Sequence, residues 1–271
     1  MTHAPLVVKI GGRALDEAHQ RPALWDALAL IARELPLVLV HGGGGAVDAR
    51  LARLGLVSER RAGLRVTPDE HIDLVVSVLR GEVNTRLVGL LAARGTRPIG
   101  LSLADAGATR CALHRPDGID LGRVGVIELS GGDAGGFWVD CLASGLTPVL
   151  CSIGLDDGGR PLNINADDGA LAVASILHAR ALVLLTDVPG ILDAQRRLIP
   201  EIDPAGVESL ITSGVISGGM IPKARAAAAG AQRSGVPAII ASWDRPELLP
   251  ALARGENAGT RVVPRRTPAR I

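Results

Sequence analysis

Tyrosine is absent from this 271-residue chain, phenylalanine occurs once and tryptophan three times. Aromatic side chains therefore cannot build the core. The 47% of hydrophobic residues falls mainly to Leu, Val, Ile and Ala, which suits helices and strands packed in layers. Long hydrophobic runs are missing too. Leu37 to Val40 and Ala181 to Leu185 fall far short of the roughly 18 residues of a membrane span. Met1 to Ile10 has no basic region ahead of its apolar stretch and no small-residue cleavage site, so it does not read as a signal peptide. A cytoplasmic location with no membrane partner is the expectation. Cysteines number only three: Cys111, Cys141 and Cys151 show no C-x-x-C spacing. A disulfide framework and a zinc site are both disfavoured, no metal ligands are expected, and the three read as small buried hydrophobes. A net charge of +1 gives no general attraction to nucleic acid or to an anionic surface.

What is present alternates. Short apolar runs ending in glycine or polar residues are followed by stretches of helical period, the pattern of strands and crossover helices in a mainly parallel sheet. Leu6 to Ile10, Leu37 to Val40, Pro98 to Leu101, Pro148 to Ile153, Ala181 to Thr186 and Ala238 to Ala241 are the strand candidates. The clearest helix follows Thr67, with Pro68 at its first position, Glu70 completing a capping box and a stripe from Ile72 to Leu87; it ends before Gly95. Further helices are expected over Pro22–Arg33, Ala46–Leu54, Asp168–Leu177, Pro204–Ser213, Pro222–Arg233 and Pro246–Ala253. The stretch from Ala104 to Gly136 suits hairpins, with Ser130 to Gly136 as a flexible loop, and the tail after Val263 reads as a frayed end. No linker divides the chain, which reads as one compact unit with two lobes.

Lysine is the scarcest charge. Of 29 basic residues only Lys9 and Lys223 are lysines, so a compact ammonium is kept where elsewhere arginine serves. Lys9 precedes Gly11 and Gly12, and Lys223 follows Gly218 and Gly219. Lysines beside glycine loops are a recurrent phosphate-binding device; the alternative is two surface residues spared by chance. A second cluster, Gly42 to Gly45, lies between a strand and a helix, where free backbone N–H groups suit an anion or simply make a tight turn. Neither G-x-x-x-x-G-K-[ST] nor a dinucleotide fingerprint is present to offer a better phosphate site. His41 beside the cluster reads as a packed or hydrogen-bonded histidine.

Six segments taken together carry a resemblance: Lys9-Ile-Gly-Gly, His41-Gly-Gly-Gly-Gly, Gly63-Leu-Arg-Val-Thr, Asn163-Ile-Asn-Ala-Asp, Thr186-Asp-Val-Pro-Gly-Ile-Leu-Asp and Gly214-Val-Ile-Ser-Gly-Gly-Met-Ile-Pro-Lys. Their order and spacing resemble the acetylglutamate kinases, and Ala241-Ser-Trp with Gly259-Thr-Arg extends the likeness nearly to the C-terminus. The resemblance implies the amino-acid kinase fold, a three-layer α/β/α sandwich around a mainly parallel sheet. One lobe, about 1–160, would take the acylated amino acid and the other, about 161–271, the nucleotide. It implies ATP-dependent phosphorylation of the side-chain carboxylate of N-acetyl-L-glutamate in arginine biosynthesis, with Mg2+ arriving on the ATP. Lys9 and Lys223 would hold the transferring phosphoryl group and the leaving ADP, with Asp167 between them orienting both; a helix N-cap is the other reading of Asp167. Arg65 would grip the substrate's α-carboxylate with its planar fork, Asn163 would pair with the same end, and Gly43 and Gly44 would supply backbone contacts. Asn163 and Asn165 can also be read as turn formers. Gly11 and Gly12, Asp187, Val188, Pro189, Gly190, Ile191 and Leu192, and Val215, Ile216 and Ser217 would line the nucleotide. Arginine-inhibited members carry a helix ahead of the first strand, whereas Lys9 already lies on that strand here, so a homodimer with little arginine feedback is expected.

Three rivals stay open on the residues alone. A kinase of the same fold could act on aspartate, glutamate, an aminoadipate derivative or UMP, against which Gly63-Leu-Arg-Val-Thr argues. A regulatory nucleotide-binding module would have no need of both lysines and Asp167. A dinucleotide-dependent oxidoreductase lacks its phosphate fingerprint.

Overall fold

The computed structural model describes residues 4–61, 63–128, 135–218 and 220–265. In chain order the strands are β1 (Leu6–Ile10), β2 (Leu37–His41), β3 (Arg60–Arg61), β4 (Leu64–Arg65), β5 (Pro98–Ser102), β6 (Arg110–Leu113), β7 (Val124–Glu128), β8 (Thr147–Cys151), β9 (Ile153–Leu155), β10 (Pro161–Ile164), β11 (Ala181–Thr186), β12 (Glu201–Ile202), β13 (Ala238–Ser242) and β14 (Thr260–Val262). The α-helices are α1 (Arg13–Asp16), α2 (Pro22–Glu34), α3 (Gly44–Arg53), α4 (Asp69–Val76), α5 (Asn84–Ala92), α6 (Gly136–Ala143), α7 (Ala166–Ile176), α8 (Pro204–Thr212) and α9 (Met220–Ser234).

Eight strands form one sheet in the order β12-β14-β13-β11-β1-β2-β8-β5, parallel except where β14 runs against β13. The β1 register, with Lys9 between Leu184 of β11 and Val40 of β2, puts that lysine near the carboxyl edge of the central strands. Because side chains alternate across a pleat, Leu6, Val8 and Ile10 enter one apolar cluster with α2, α3, α4 and α5, while Val7 enters a second with α6 and α7. A third cluster packs α8 and α9 against Ala238, Ile240 and Val262. These are the expected three layers. A smaller sheet, β6-β7-β10-β9, and the hairpin β3-β4 lie beyond the main sheet. Among the described residues no helix is long and apolar enough to cross a membrane.

Five of the six strand candidates lie wholly in the main sheet; the sixth, Pro148 to Ile153, covers β8 from its second residue and runs on into the first residue of β9, which belongs to the smaller sheet. The anticipated hairpins between 104 and 136 include the pair β6-β7. Four features differ from expectation. The helix after Thr67 begins at Asp69 with Pro68 as its cap residue and no side-chain cap; Thr67 instead donates its hydroxyl to the Arg65 carbonyl and accepts from Asn163. That long helix is interrupted by a seven-residue π-helical turn, Ser77–Val83, between α4 and α5. Pro246–Leu252 is a 3₁₀ helix rather than an α-helix, in keeping with Pro250, which cannot donate to the preceding turn. Helix α6 is not anticipated by the sequence, nor are the short strands β12, at the sheet edge, and β14 beside it, since two or three residues carry no readable period. The loop expected at Ser130 to Gly136 falls outside the described residues up to 134, and the tail does so beyond Arg265.

Candidate active site

Lys9 emerges near the end of β1 with its side chain 17% exposed, and its Nζ stands 2.9 Å from Oδ1 of Asp167. Glycine at position 11 makes that placement possible, because a Cβ there would lie 2.8 Å from the Lys9 ammonium. Asp167 is free to serve as partner because it does not cap its helix. Asn165 does so, accepting from the backbone N–H groups of Asp167 at 2.8 Å and Asp168 at 3.2 Å. The turn-forming reading of Asn165 is thus realised as a helix cap, and the capping reading of Asp167 is not.

Lys223, in the first turn of α9, reaches over the end of β11. Its Nζ donates to Oγ1 of Thr186 at 3.2 Å and to the carboxylate of Asp187. The Lys223 hydrogen bond is the main reason that Asp187 titrates at about 2. Asp167 thus pairs with Lys9 and Asp187 with Lys223, and Asp167 lines the same cavity as both lysines. Each ammonium has its own aspartate, because α9 sets Lys223 down beside the residue that directly follows β11. A cavity of about 430 Å³ lies between them, lined by Lys9, Gly11, Gly12, Asp187, Lys223 and Trp243 among others.

An adjoining pocket of about 150 Å³ is lined by Gly42, Gly43, Gly44, Arg65 and Asn163. Arg65 is only 8% exposed. Its Nη1 donates to Asp48 and to Ser58, and its Nη2 to the Gly44 carbonyl at 2.9 Å, using three of the five N–H groups of a guanidinium. Asp48, held by Arg65 above all, titrates at about 2. Arg60, the cross-strand partner of Arg65 in the hairpin, reaches Asp48 from the other side at 3.3 Å. Asn163 on β10 donates to Thr67, which ties it to the Arg65 backbone. Gly43 closes the loop where only glycine fits: its φ is +153°, and a Cβ would lie 2.7 Å from Leu79.

Other residues expected to line the nucleotide do not line the larger cavity. Ile191 and Ile216 are core residues of the cluster around α8 and α9, and Gly190 is buried against Thr260. Val188, Pro189, Leu192, Val215 and Ser217 lie on the flanking loops, and of the segment 187–192 only Asp187 faces the cavity. Burial withholds the Ile191 and Ile216 side chains from a ligand, and the Ile191 backbone is already bonded to Thr260 and Ile199. Among the described residues no group of three or more His, Cys, Asp or Glu side chains could hold a metal ion. Sequence reasoning missed Asp48, Ser58, Arg60 and Asn84, none of which belongs to a motif. The one usable signal was for Asp48, which sits four residues into the helix that the glycine loop opens.

Known proteins resemble this chain over nearly its whole length. The chain is 40% identical over 266 residues to the acetylglutamate kinase of Aliivibrio fischeri (strain MJ11), covering 97% of this chain and 100% of that one. It is 42% identical over 263 residues to the acetylglutamate kinase of Vibrio cholerae serotype O1 (strain O395), covering 96% and 98%. The solved N-acetylglutamate synthase of Neisseria gonorrhoeae, in complex with coenzyme A and N-acetyl-glutamate, superposes with a TM-score of 0.81 at 24% identity, over 98% of this chain and 61% of that one, a likeness of fold alone. The profile of the Amino acid kinase family matches residues 4–242, and with these relatives it shows that the chain belongs to that family.

Proposed function

We propose that this chain transfers the terminal phosphoryl group of ATP to the side-chain carboxylate of N-acetyl-L-glutamate, a step of arginine biosynthesis whose product is an acyl phosphate. One observation carries the reading. The only two lysines of the chain stand at one nucleotide-sized cavity, and a buried arginine fork waits in the pocket beside it. The names of the full-length relatives support the choice of acceptor.

Phosphoryl transfer to a carboxylate brings anions together, so the protein's task is to position them and neutralise charge. Lys9 and Lys223 supply two positive charges whose positions are fixed beforehand by Asp167 and Asp187. Arg65, with three N–H groups committed to Asp48, Ser58 and Gly44, has its direction set before substrate arrives and offers its remaining edge to the α-carboxylate. Asn163 pairs with the same end, and the backbone at Gly43 and Gly44 flanks the reacting carboxylate. Magnesium bound to the incoming nucleotide would neutralise charge on its phosphate oxygens. In this reading the lobe of about 1–160 holds the acceptor and that of about 161–271 the nucleotide. The boundary is crossed by Lys9, Gly11 and Gly12 on one side and Asn163 on the other. A homodimer, taken from the family resemblance, completes the proposal; a monomeric or hexameric mass in light scattering would remove it.

A coupled ADP-release assay across N-acetyl-L-glutamate, glutamate, aspartate and UMP tests the acceptor. The highest kcat/KM is expected for N-acetyl-L-glutamate, and faster turnover of free glutamate or UMP would overturn the reading.

A further inference from the structure

His41 takes no part in the chemistry above, yet it is a polar side chain with no solvent exposure at all. It ends β2 directly before the glycine loop, and its ring is held at both nitrogens. Nδ1 lies 2.7 Å from the carbonyl oxygen of Gly42, which can only accept, so Nδ1 carries the ring proton. Nε2 is then the acceptor, and it receives the side-chain amide of Asn84 at 3.0 Å. The same amide nitrogen donates its other hydrogen to the Val149 carbonyl of β8 at 2.8 Å. Burial lowers the His41 pKa to about 4, so this neutral tautomer persists at neutral pH.

Asn84 is itself 3% exposed, and it is the first residue after the π-helical turn Ser77–Val83. Such turns are frequent at functional sites. This one brings Leu79 and Val83 against Gly43, so the same backbone irregularity sets both the apolar support and the polar support of the loop.

We propose that His41 and Asn84 are positioning residues for the acceptor. The imidazole, oriented by Asn84, fixes the Gly42 carbonyl and thereby the direction in which the Gly43 and Gly44 backbone faces the pocket beside Arg65. This rests on the proposed function in taking that pocket as the acceptor side.

Two variants at position 41 separate positioning from packing, because the amide nitrogen of asparagine falls where Nδ1 of histidine lies. His41→Leu removes the hydrogen bond to Gly42 and His41→Asn restores it. Turnover is expected to fall about a hundredfold in His41→Leu, with the KM for ATP within about twofold, and by about tenfold or less in His41→Asn. Asn84→Ala, the milder truncation should His41→Leu fail to fold, is expected to lose about tenfold in turnover with the same split. Amide resonances of Gly43 and Gly44 in a two-dimensional ¹H–¹⁵N spectrum should move in His41→Leu and Asn84→Ala and return toward wild type in His41→Asn. That spectrum depends on no substrate. A wild-type enzyme inert toward N-acetyl-L-glutamate would refute the proposed function alone. Unmoved glycine resonances in Asn84→Ala, or equal losses of turnover in His41→Asn and His41→Leu, would overturn the positioning role whatever the acceptor.

Discussion

Replacing Arg65 by lysine keeps the charge and removes the fork. The native guanidinium is nearly buried and spends three N–H groups on Asp48, Ser58 and Gly44, which leaves its other edge for a substrate carboxylate. A lysine ammonium is a single point with three donors; drawn toward Asp48, it cannot also present two parallel N–H groups. A hydrogen bond to a charged group contributes about 1.5–3 kcal/mol. Losing one of two to the α-carboxylate should therefore raise the KM for N-acetyl-L-glutamate about ten- to a hundredfold, while the KM for ATP stays within about twofold. Stability should barely change at neutral pH. Asp48 is depressed from 3.8 to about 2, so its pairing with Arg65 stabilises the fold fully above about pH 4 and is lost only as the pH falls through about 2. The Asp48 side chain is also 41% exposed, which screens the pair to about 1 kcal/mol or less. Steady-state kinetics with both substrates varied, together with a thermal melt, decide the matter. Equal rises in both Michaelis constants, or a lower turnover at unchanged KM, would place Arg65 elsewhere.

The lysines make a sharper demand. Lys9→Arg and Lys223→Arg keep the sign of the charge but move and spread it, so each should lose on the order of a hundred- to a thousandfold in turnover with a melting temperature near wild type; near-normal turnover in both would remove them from the transition state. His41 gives a pH dependence. Its folded-state pKa is depressed from 6.5 to about 4, so its contribution is complete above pH 6.5 and declines as the pH falls toward 4, by about 3 kcal/mol. Urea unfolding of wild type minus His41→Asn between pH 7 and 4.5 should show that slope, and a flat difference would mean that the ring is solvated. Gly43→Ala places a Cβ 2.7 Å from Leu79 at a φ of +153°. It should lower stability by about 1–3 kcal/mol and raise the KM for N-acetyl-L-glutamate, and wild-type behaviour in both would show that the loop relaxes without cost.

Much of this architecture could be read directly from residues. Strand β1 was legible to the residue because a central parallel strand is buried on both faces and reads as an apolar run, broken here only by Lys9. The two lysines stood out by scarcity alone, and Arg65 and Asn163 by motifs shared with a family. What could not be read depends on pairs that only the tertiary structure brings together. Arg65 and Asp48 are 17 residues apart, Lys223 and Asp187 are 36, and His41 and Asn84 are 43. The π-helical turn was invisible for a different reason: its sequence keeps an apolar pattern that an ordinary α-helix would accept equally well. The pairing of Lys223 with Asp187 was equally hidden, since a motif names a residue and not the element that faces it.

Trapping the product reports on phosphoryl transfer to the side-chain carboxylate itself. An acyl phosphate reacts with hydroxylamine to give a hydroxamate, whereas a phosphate ester does not. Incubation of the purified chain with ATP, Mg2+, N-acetyl-L-glutamate and hydroxylamine, followed by tandem mass spectrometry, should yield the hydroxamate at the side-chain carboxyl in proportion to the ADP formed. ADP release without hydroxamate, or a hydroxamate at the α-carboxyl, would contradict it.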